Sequence, residues 1–223
     1  MIRLYNYVKN YGNYTKSEVI KLNNDKKILV NNEVKNISYI IRNGDEVKVC
    51  GNIIKEIPNV YYLYYKPRGI ICSNVSTLTN GLKNNINIKE RIFSVGRLDK
   101  DSEGLLILTN DGYLQEELLS EKNHIEKEYL VITKEKIDNQ FIKNIQESIE
   151  IKGKITKKAK AQFVDDYTFK IILEEGKYHQ IRKLVQRESN KVVTLKRIRI
   201  GKIKIDNLKE SEILKVEDIR KLL

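Results

Sequence analysis

Gly96-Arg97-Leu98-Asp99-Lys100-Asp101-Ser102-Glu103-Gly104-Leu105-Leu106-Ile107-Leu108-Thr109-Asn110-Asp111-Gly112 sets out a loop, a strand and a turn in one stretch. Its first half puts a carboxylate, Asp99, in a glycine-bounded loop between Arg97 and Lys100. A carboxylate so flanked is kept ionised by its cationic neighbours, as a nucleophile must be. Its second half, Gly104 to Thr109, is apolar at consecutive positions, which predicts a strand buried on both faces. Asn110-Asp111-Gly112 closes that strand, and Tyr113 to Ser120 reads as a helix. On these residues alone, a surface turn with local ion pairs is the better account of the loop.

Outward from this stretch the pattern stays rich in strands. Val60 to Tyr65 is an apolar, aromatic run ending at Lys66-Pro67-Arg68-Gly69, and Ile70 to Ser73 continues it. Further strands are predicted at Tyr129 to Thr133, Lys154 to Val164, Tyr167 to Leu173, Lys191 to Arg199 and Lys202 to Ile205. Helices are predicted at Asp138 to Glu147, at Tyr178 to Glu188 with Ile181, Leu184 and Val185 on one face, and at Glu217 to Leu222. Many strands joined by short loops, with little βαβ alternation, imply an α+β fold with a mixed, mainly antiparallel sheet.

The first 57 residues form a separate pattern. Leu4, Tyr7, Val8 and Tyr11 recur at helical spacing until Gly12, and Thr15-Lys16-Ser17-Glu18 opens a second helix with a capping box. Short strands follow at Lys27 to Val30, Val34 and Glu46 to Val49, the last after the Asn43-Gly44-Asp45 turn. Pro58-Asn59 marks the boundary, giving domains at 1–57 and 58–223.

The chain has 223 residues, 42 Lys+Arg against 30 Asp+Glu, and a net charge of +12. Residues 176–204 hold ten basic side chains against Glu188 alone, so +9 of that charge is concentrated there. Such clustering favours a polyanionic partner over a merely solvated face. Two cysteines, Cys50 and Cys72, and two histidines exclude a Cys/His zinc site and a disulfide scaffold. The opening residues carry no apolar signal core, and no run reaches the length of a membrane span, so a cytoplasmic location without membrane attachment is expected.

The Gly96–Gly112 stretch resembles the signature of the RsuA/RluF family of ribosomal-RNA pseudouridine synthases. That signature reads Gly-Arg-Leu-Asp, variable residues, Gly-Leu, a hydrophobic pair and Thr-Asn-Asp/His-Gly. Tyr65-Lys66-Pro67-Arg68-Gly69 resembles the family's first motif, with Tyr65 where Asn is usual. Glu126-Lys127-Glu128-Tyr129-Leu130-Val131 resembles its Glu-Lys-x-Tyr-x-Val segment. The stretch Glu175 to Lys183 resembles the one that carries its arginine, and Leu195 to Gly201 the basic strand that follows. The N-terminal residues resemble an S4 RNA-binding domain, with Lys16 where that family usually has arginines.

The resemblance implies roles for particular residues. Asp99 attacks the uridine so that the base can detach, rotate and rejoin through C5. Tyr129 stacks on the flipped base and is a candidate for proton handling at the sugar. Arg182 pairs with Asp99 and keeps it oriented and charged. Arg97 displaces the target base from its helix. With Arg97, the residues expected to contact RNA are Lys16, Lys66, Lys177, His179, Lys183, Lys196, Arg197 and Arg199. Taken alone, Tyr129 is as readily a packing residue in a chain with 13 tyrosines, Arg182 a phosphate contact, and Lys66-Pro67 a structural turn.

The expected substrate is a uridine in ribosomal RNA, of the large subunit (23S) on the wording Lys100-Asp101-Ser102-Glu103-Gly104. The partner is ribosomal RNA or a precursor particle, the protein a monomer, and no metal or organic cofactor is implied. A small-subunit (16S) enzyme and a non-catalytic RNA-binding or ribosome-assembly factor are the alternatives. A DNA-binding regulator ranks last for want of a basic recognition helix.

Overall fold

Leu4, Tyr7 and Val8 are buried on one side of a first helix, α1 (Leu4–Tyr11), which stops at Gly12. Helix α2 (Lys16–Asn24) begins with the capping box: Thr15 Oγ1 accepts from the Glu18 N–H at 3.3 Å, and Glu18 accepts from the Thr15 N–H at 2.6 Å. The strands β1 (Ile28–Val30), β2 (Glu33–Val34), β3 (Val47–Val49) and β4 (Asn52–Ile54) form an antiparallel sheet in the order β2-β1-β3-β4. Ile28, Val30, Val47 and Val49 alternate inward and close a core on Leu4, Val8 and Val19. These elements make one compact unit, Met1–Asn59, and Val60–Leu223 make another. The structure, a computed structural model, describes residues 2–12, 14–73, 79–217 and 219–222.

The second unit is built on β5 (Tyr61–Lys66), α3 (Leu82–Asn85), β6 (Phe93–Val95), β7 (Glu103–Thr109), α4 (Gly112–Leu119), β8 (Lys127–Thr133) and α5 (Asn139–Ile145). It continues with β9 (Glu150–Ile151), β10 (Lys154–Ile155), β11 (Lys160–Asp165), β12 (Thr168–Leu173), α6 (Gln180–Arg187), β13 (Val192–Ile200), β14 (Ile203–Lys204) and β15 (Ile213–Val216). Among the described residues one nine-stranded sheet runs β11-β12-β8-β13-β7-β5-β15, with β14 beside β13 and β6 beside β7. β13 and β7 pair in parallel and the other neighbours are antiparallel.

The consecutive apolar run of β7 follows from a core on each face. Leu105 and Ile107 pack with Tyr61, Leu63, Tyr65, Leu114 and Leu118 on one side. Leu106 and Leu108 pack with Tyr62, Tyr64, Leu82 and Ile92 on the other. A third core joins α5 and α6 to Tyr129, Val131, Phe169, Ile171 and Leu195 of β8, β12 and β13. Gly104 is required where β7 meets β13: its φ is +108°, and a Cβ there would lie 2.3 Å from the Arg197 carbonyl oxygen.

Several elements depart from the sequence reading. Gly69, at φ +90°, turns the chain, so Ile71 makes an isolated bridge to Gly81 in place of a continued strand. Lys154 to Val164 is interrupted: β9 and β10 form a hairpin through Lys152 and Gly153, both at positive φ, before β11 begins. The expected last helix is a 3₁₀ turn at Ile219–Leu222, preceded by the edge strand β15; residue 218 lies outside the described residues.

That last turn ties onto the end of the Gly96–Gly112 stretch. Asp111 caps α4 by accepting from the Tyr113 and Leu114 N–H groups at 3.0 and 3.1 Å. Its other oxygen accepts from Arg220 at 2.9 Å and from the Tyr61 hydroxyl at 3.0 Å. Burial alone would raise the Asp111 carboxyl, but the hydrogen bonds from Leu114, Arg220 and Tyr61 outweigh it and hold the group below its ordinary range.

Asp111→Ala removes the cap and the carboxylate to which Arg220 and Tyr61 both donate, a loss of about 1–2 kcal/mol. Because the folded carboxyl titrates below its unfolded value, the deficit is full above about pH 4 and disappears as the pH falls through the folded value. Urea unfolding of both proteins at pH 7 and pH 3 measures it; an equal gap at the two pH values contradicts the assignment. Gly104→Ala forces β7 off β13 and is expected to yield no native fold, whereas Gly153→Ala, where a Cβ meets nothing within 4 Å, still folds. Circular dichroism melts distinguish them.

Candidate active site

Asp99 sits in the loop between β6 and β7, and that loop is fastened from several directions. Leu98 is buried in the core with Tyr129, and its N–H points at the Cys72 Sγ at 3.4 Å. The Lys100 carbonyl accepts from the Gly69 N–H at 2.8 Å, and the Asp99 carbonyl from the Ser102 N–H at 3.1 Å. Lys66, fully buried at the end of β5, donates to the Ser102 and Pro67 carbonyls at 2.7 and 2.8 Å. Burial lowers the Lys66 ammonium, with Cys72, Asp101, Asp99 and Glu103 pulling it back up. Lys66 is thus a clamp between two segments of backbone and not an RNA contact.

The Asp99 carboxylate is left reachable, with its side chain 41% exposed. Two side chains from the start of α6 face it: the His179 imidazole, with Nε2 3.5 Å from one oxygen, and the Arg182 guanidinium, with Nε 3.9 Å from the other. Arg182 does not grip the carboxylate bidentately. Its Nη2 donates to the Asp101 carbonyl at 3.3 Å and the Ser102 hydroxyl at 3.2 Å, so it holds the loop while standing beside the anion. His179 has φ +53° and stacks on the exposed Tyr178 at 3.9 Å between ring centroids.

Tyr129 lies on β8, opposite Arg197 of β13 and Ile171 of β12, and is 9% exposed. It lines the same cleft, of about 910 Å³, as Asp99, Arg97, His179, Leu195 and Arg197. A cleft that sets the Tyr129 ring and apolar Leu98, Leu173 and Leu195 near an accessible carboxylate suits a flat polar ring held against that carboxylate.

The basic residues expected on RNA divide into groups. Arg97 is exposed at the cleft, and Lys16 is exposed in the first turn of α2. Lys183 stands 5.7 Å from the Tyr178 ring centre. Lys177 is paired with Glu121 at 2.6 Å and Glu175 at 3.6 Å. The strip Lys196, Arg197 and Arg199 does not form an open basic face. Arg199 is locked to Glu128 and Glu126 at 2.7 and 3.0 Å, Lys196 lies over the Tyr65 ring, and Arg197 is 2% exposed. Alternation along β13 turns Arg197 to the same side as buried Leu195, which a count of charges does not register.

Other residues of the site carried no signal in the sequence. Ser102 is buried under Arg182. Glu175, 4% exposed, accepts from the Lys157 N–H at 2.7 Å and the Gln180 side chain at 2.9 Å, and so shapes the turn that presents His179. Both lie within the motif stretches, yet nothing in their spacing marks them as buried. Among the described residues no cluster of His, Cys, Asp or Glu could hold a metal, and no helix is long and apolar enough to cross a membrane.

Residues 60–187 match the RNA pseudouridylate synthase family. The chain is 33% identical, over 93% of its length and 72% of the relative's, to the dual-specificity RNA pseudouridine synthase RluF of Escherichia coli strain K12. It is 31% identical, over the full length of both chains, to the ribosomal small subunit pseudouridine synthase A of Haemophilus influenzae. An RNA pseudouridine synthase of Aquifex aeolicus is 31% identical over 92% of this chain and 88% of the relative. A crystal structure of a pseudouridylate synthase superposes with a TM-score of 0.71 at 29% identity, covering 100% of both chains. With a reachable aspartate in the Gly-Arg-Leu-Asp loop and relatives of this kind along its whole length, the chain belongs to the RsuA/RluF family of RNA pseudouridine synthases.

Proposed function

We propose that this enzyme converts one uridine of ribosomal RNA, in the large subunit, to pseudouridine, with Asp99 as nucleophile. The observation that carries the reading is the reachable Asp99 carboxylate held between His179 and Arg182 at the mouth of the Tyr129 cleft. The reaction breaks the bond from C1′ to N1 and forms one from C1′ to C5; C5 loses a proton and N1 gains one, so nothing is consumed. Asp99 attacks the nucleoside and releases the base, which turns against the Tyr129 ring and rejoins through C5. Arg182 and His179 flank the attacking carboxylate, one beside each oxygen. Arg97, exposed beside Asp99, fills the place of the flipped base in the RNA stack.

A fixed loop matters here, because a nucleophile must meet a base that itself has to rotate. The hold of Lys66, Gly69 and Arg182 on the backbone of residues 100–102 supports that requirement. The small-subunit reading is favoured by the end-to-end match with the Haemophilus influenzae relative. Pseudouridine maps of 16S and 23S RNA from cells with and without the protein decide between them. The N-terminal unit adds RNA affinity as an S4-like module and no chemistry.

Asp99→Asn keeps size and polarity and removes the anion, so pseudouridine formation falls below detection while RNA affinity stays within a few-fold. Arg182→Lys loses the forked contact with the loop and lowers the rate by about tenfold or more. Tyr129→Phe keeps the stacking face and tests the hydroxyl alone. Product at the wild-type rate from Asp99→Asn would sink the assignment. Residues 60–223 alone are expected to modify RNA at raised concentration; a folded but inactive truncation refutes the division of labour.

A further inference from the structure

Arg197 is a buried cation without a counter-charge. Its Nε donates to the Leu105 carbonyl at 2.8 Å, while its Nη2 is enclosed and has no hydrogen-bond partner. Among the described residues it forms no ion pair. One removed charge is costly, and here there are two. Lys127, two residues before Tyr129 on β8 and on the same face of the sheet, donates only to the Ile125 carbonyl at 2.9 Å. Burial, and then the charge of Arg197, hold the Lys127 ammonium below the ordinary lysine range, against a pull from Glu121. Glu121 itself is committed to Lys177 at 2.6 Å.

Both cations line the cleft that holds Asp99 and Tyr129. At about 910 Å³ the cleft stands near the upper end of the ~300–1,000 Å³ usual for a drug-sized ligand, with room beyond one nucleoside. Two like charges lining one cleft repel each other, and a bound anion relieves that repulsion. We propose that Arg197 and Lys127 form an anion subsite in the cleft that takes a phosphodiester flanking the target uridine. The proposal rests on the reading of the chain as an RNA pseudouridine synthase acting through Asp99. It also answers a need of that reaction: the ribose must stay in place while the detached base rotates, and a phosphate held by the uncommitted Nη2 end of the guanidinium and an ammonium anchors the sugar without touching the base.

The test uses the whole protein and an rRNA fragment containing the mapped uridine, made with ordinary phosphates or with a neutral methylphosphonate on each side of that uridine in turn. Arg197→Met, Arg197→Lys and Lys127→Met are compared with wild type for kcat/KM, for RNA affinity and for thermal midpoint without RNA. On ordinary RNA, Arg197→Met and Lys127→Met are expected to lose roughly 10- to 100-fold in kcat/KM. One methylphosphonate position should cost wild type a similar factor and cost these variants little more, a non-additivity that a merely structural residue does not produce. Arg197→Met should melt no lower than wild type, because it removes an unpaired buried charge. Should Arg197→Met not fold, Lys127→Met and Arg197→Lys run the same cycle. Active variants whose losses simply add to that of every methylphosphonate overturn the subsite and leave the enzyme reading intact. A wild-type protein that makes no pseudouridine in any rRNA removes that reading, and the subsite with it.

Discussion

The backbone of Gly104 runs so near that of Arg197 that a Cβ would stand 2.3 Å from the carbonyl oxygen and 2.7 Å from the nitrogen of Arg197. This contact belongs to the parallel pairing of β7 with β13, where Lys196 faces Glu103 and Arg197 faces Gly104. On one side of it lie β5, β6, β7 and β15; on the other lie β8, β11, β12 and β13, each group antiparallel within itself. A short parallel seam therefore joins two antiparallel halves into one sheet. The cleft draws on both halves: the Asp99 loop enters β7 from one, and Tyr129 with the start of α6 comes from the other. An added methyl group at the seam would move nucleophile and platform apart together.

Around that seam the chain spends its buried polar groups on the backbone of the Asp99 loop. Lys66 reaches the Ser102 carbonyl, Arg182 the Asp101 carbonyl, and Gly69 the Lys100 carbonyl. None of the three hydrogen-bonds the carboxylate. The division is physically sensible, since an acceptor fully engaged by tight donors is a poorer nucleophile, whereas a guanidinium 3.9 Å away attracts its charge and leaves its lone pairs free. Lysine suits the buried clamp because its ammonium can serve two carbonyls at once, and Asp101, Asp99 and Glu103 nearby offset part of its desolvation.

Much of this was legible in the residues. The run from Leu105 to Leu108 announced a buried strand, the capping box at Thr15 announced α2, and the Gly96–Gly112 wording announced the family. What stayed hidden has a common cause. β4, β6 and β15 have three or four residues each, too few for a period of two to stand out. The side on which a basic residue falls depends on register, so Lys66 and Arg197 looked like surface charge and proved buried. Their partners are backbone carbonyls 36 and 92 residues away in sequence, a pairing that no local pattern carries.

The charge concentrated between 176 and 204 then has to be reinterpreted. Lys177, Arg187 and Arg199 are paired with acids and Arg197 is inside, so four of the ten cations are not freely presented to a strand. Pairing does not cancel the net +12, however, and a net charge acts beyond the range of any single contact. Long-range attraction and close recognition are consequently supplied by different residues. The whole surface draws a polyanion in, and its strength falls with salt over a screening length of about 8–10 Å. Inside the cleft, a few cations near one carboxylate stand within contact distance of whatever enters, where Coulomb interactions are strongest and a single misplaced charge matters most.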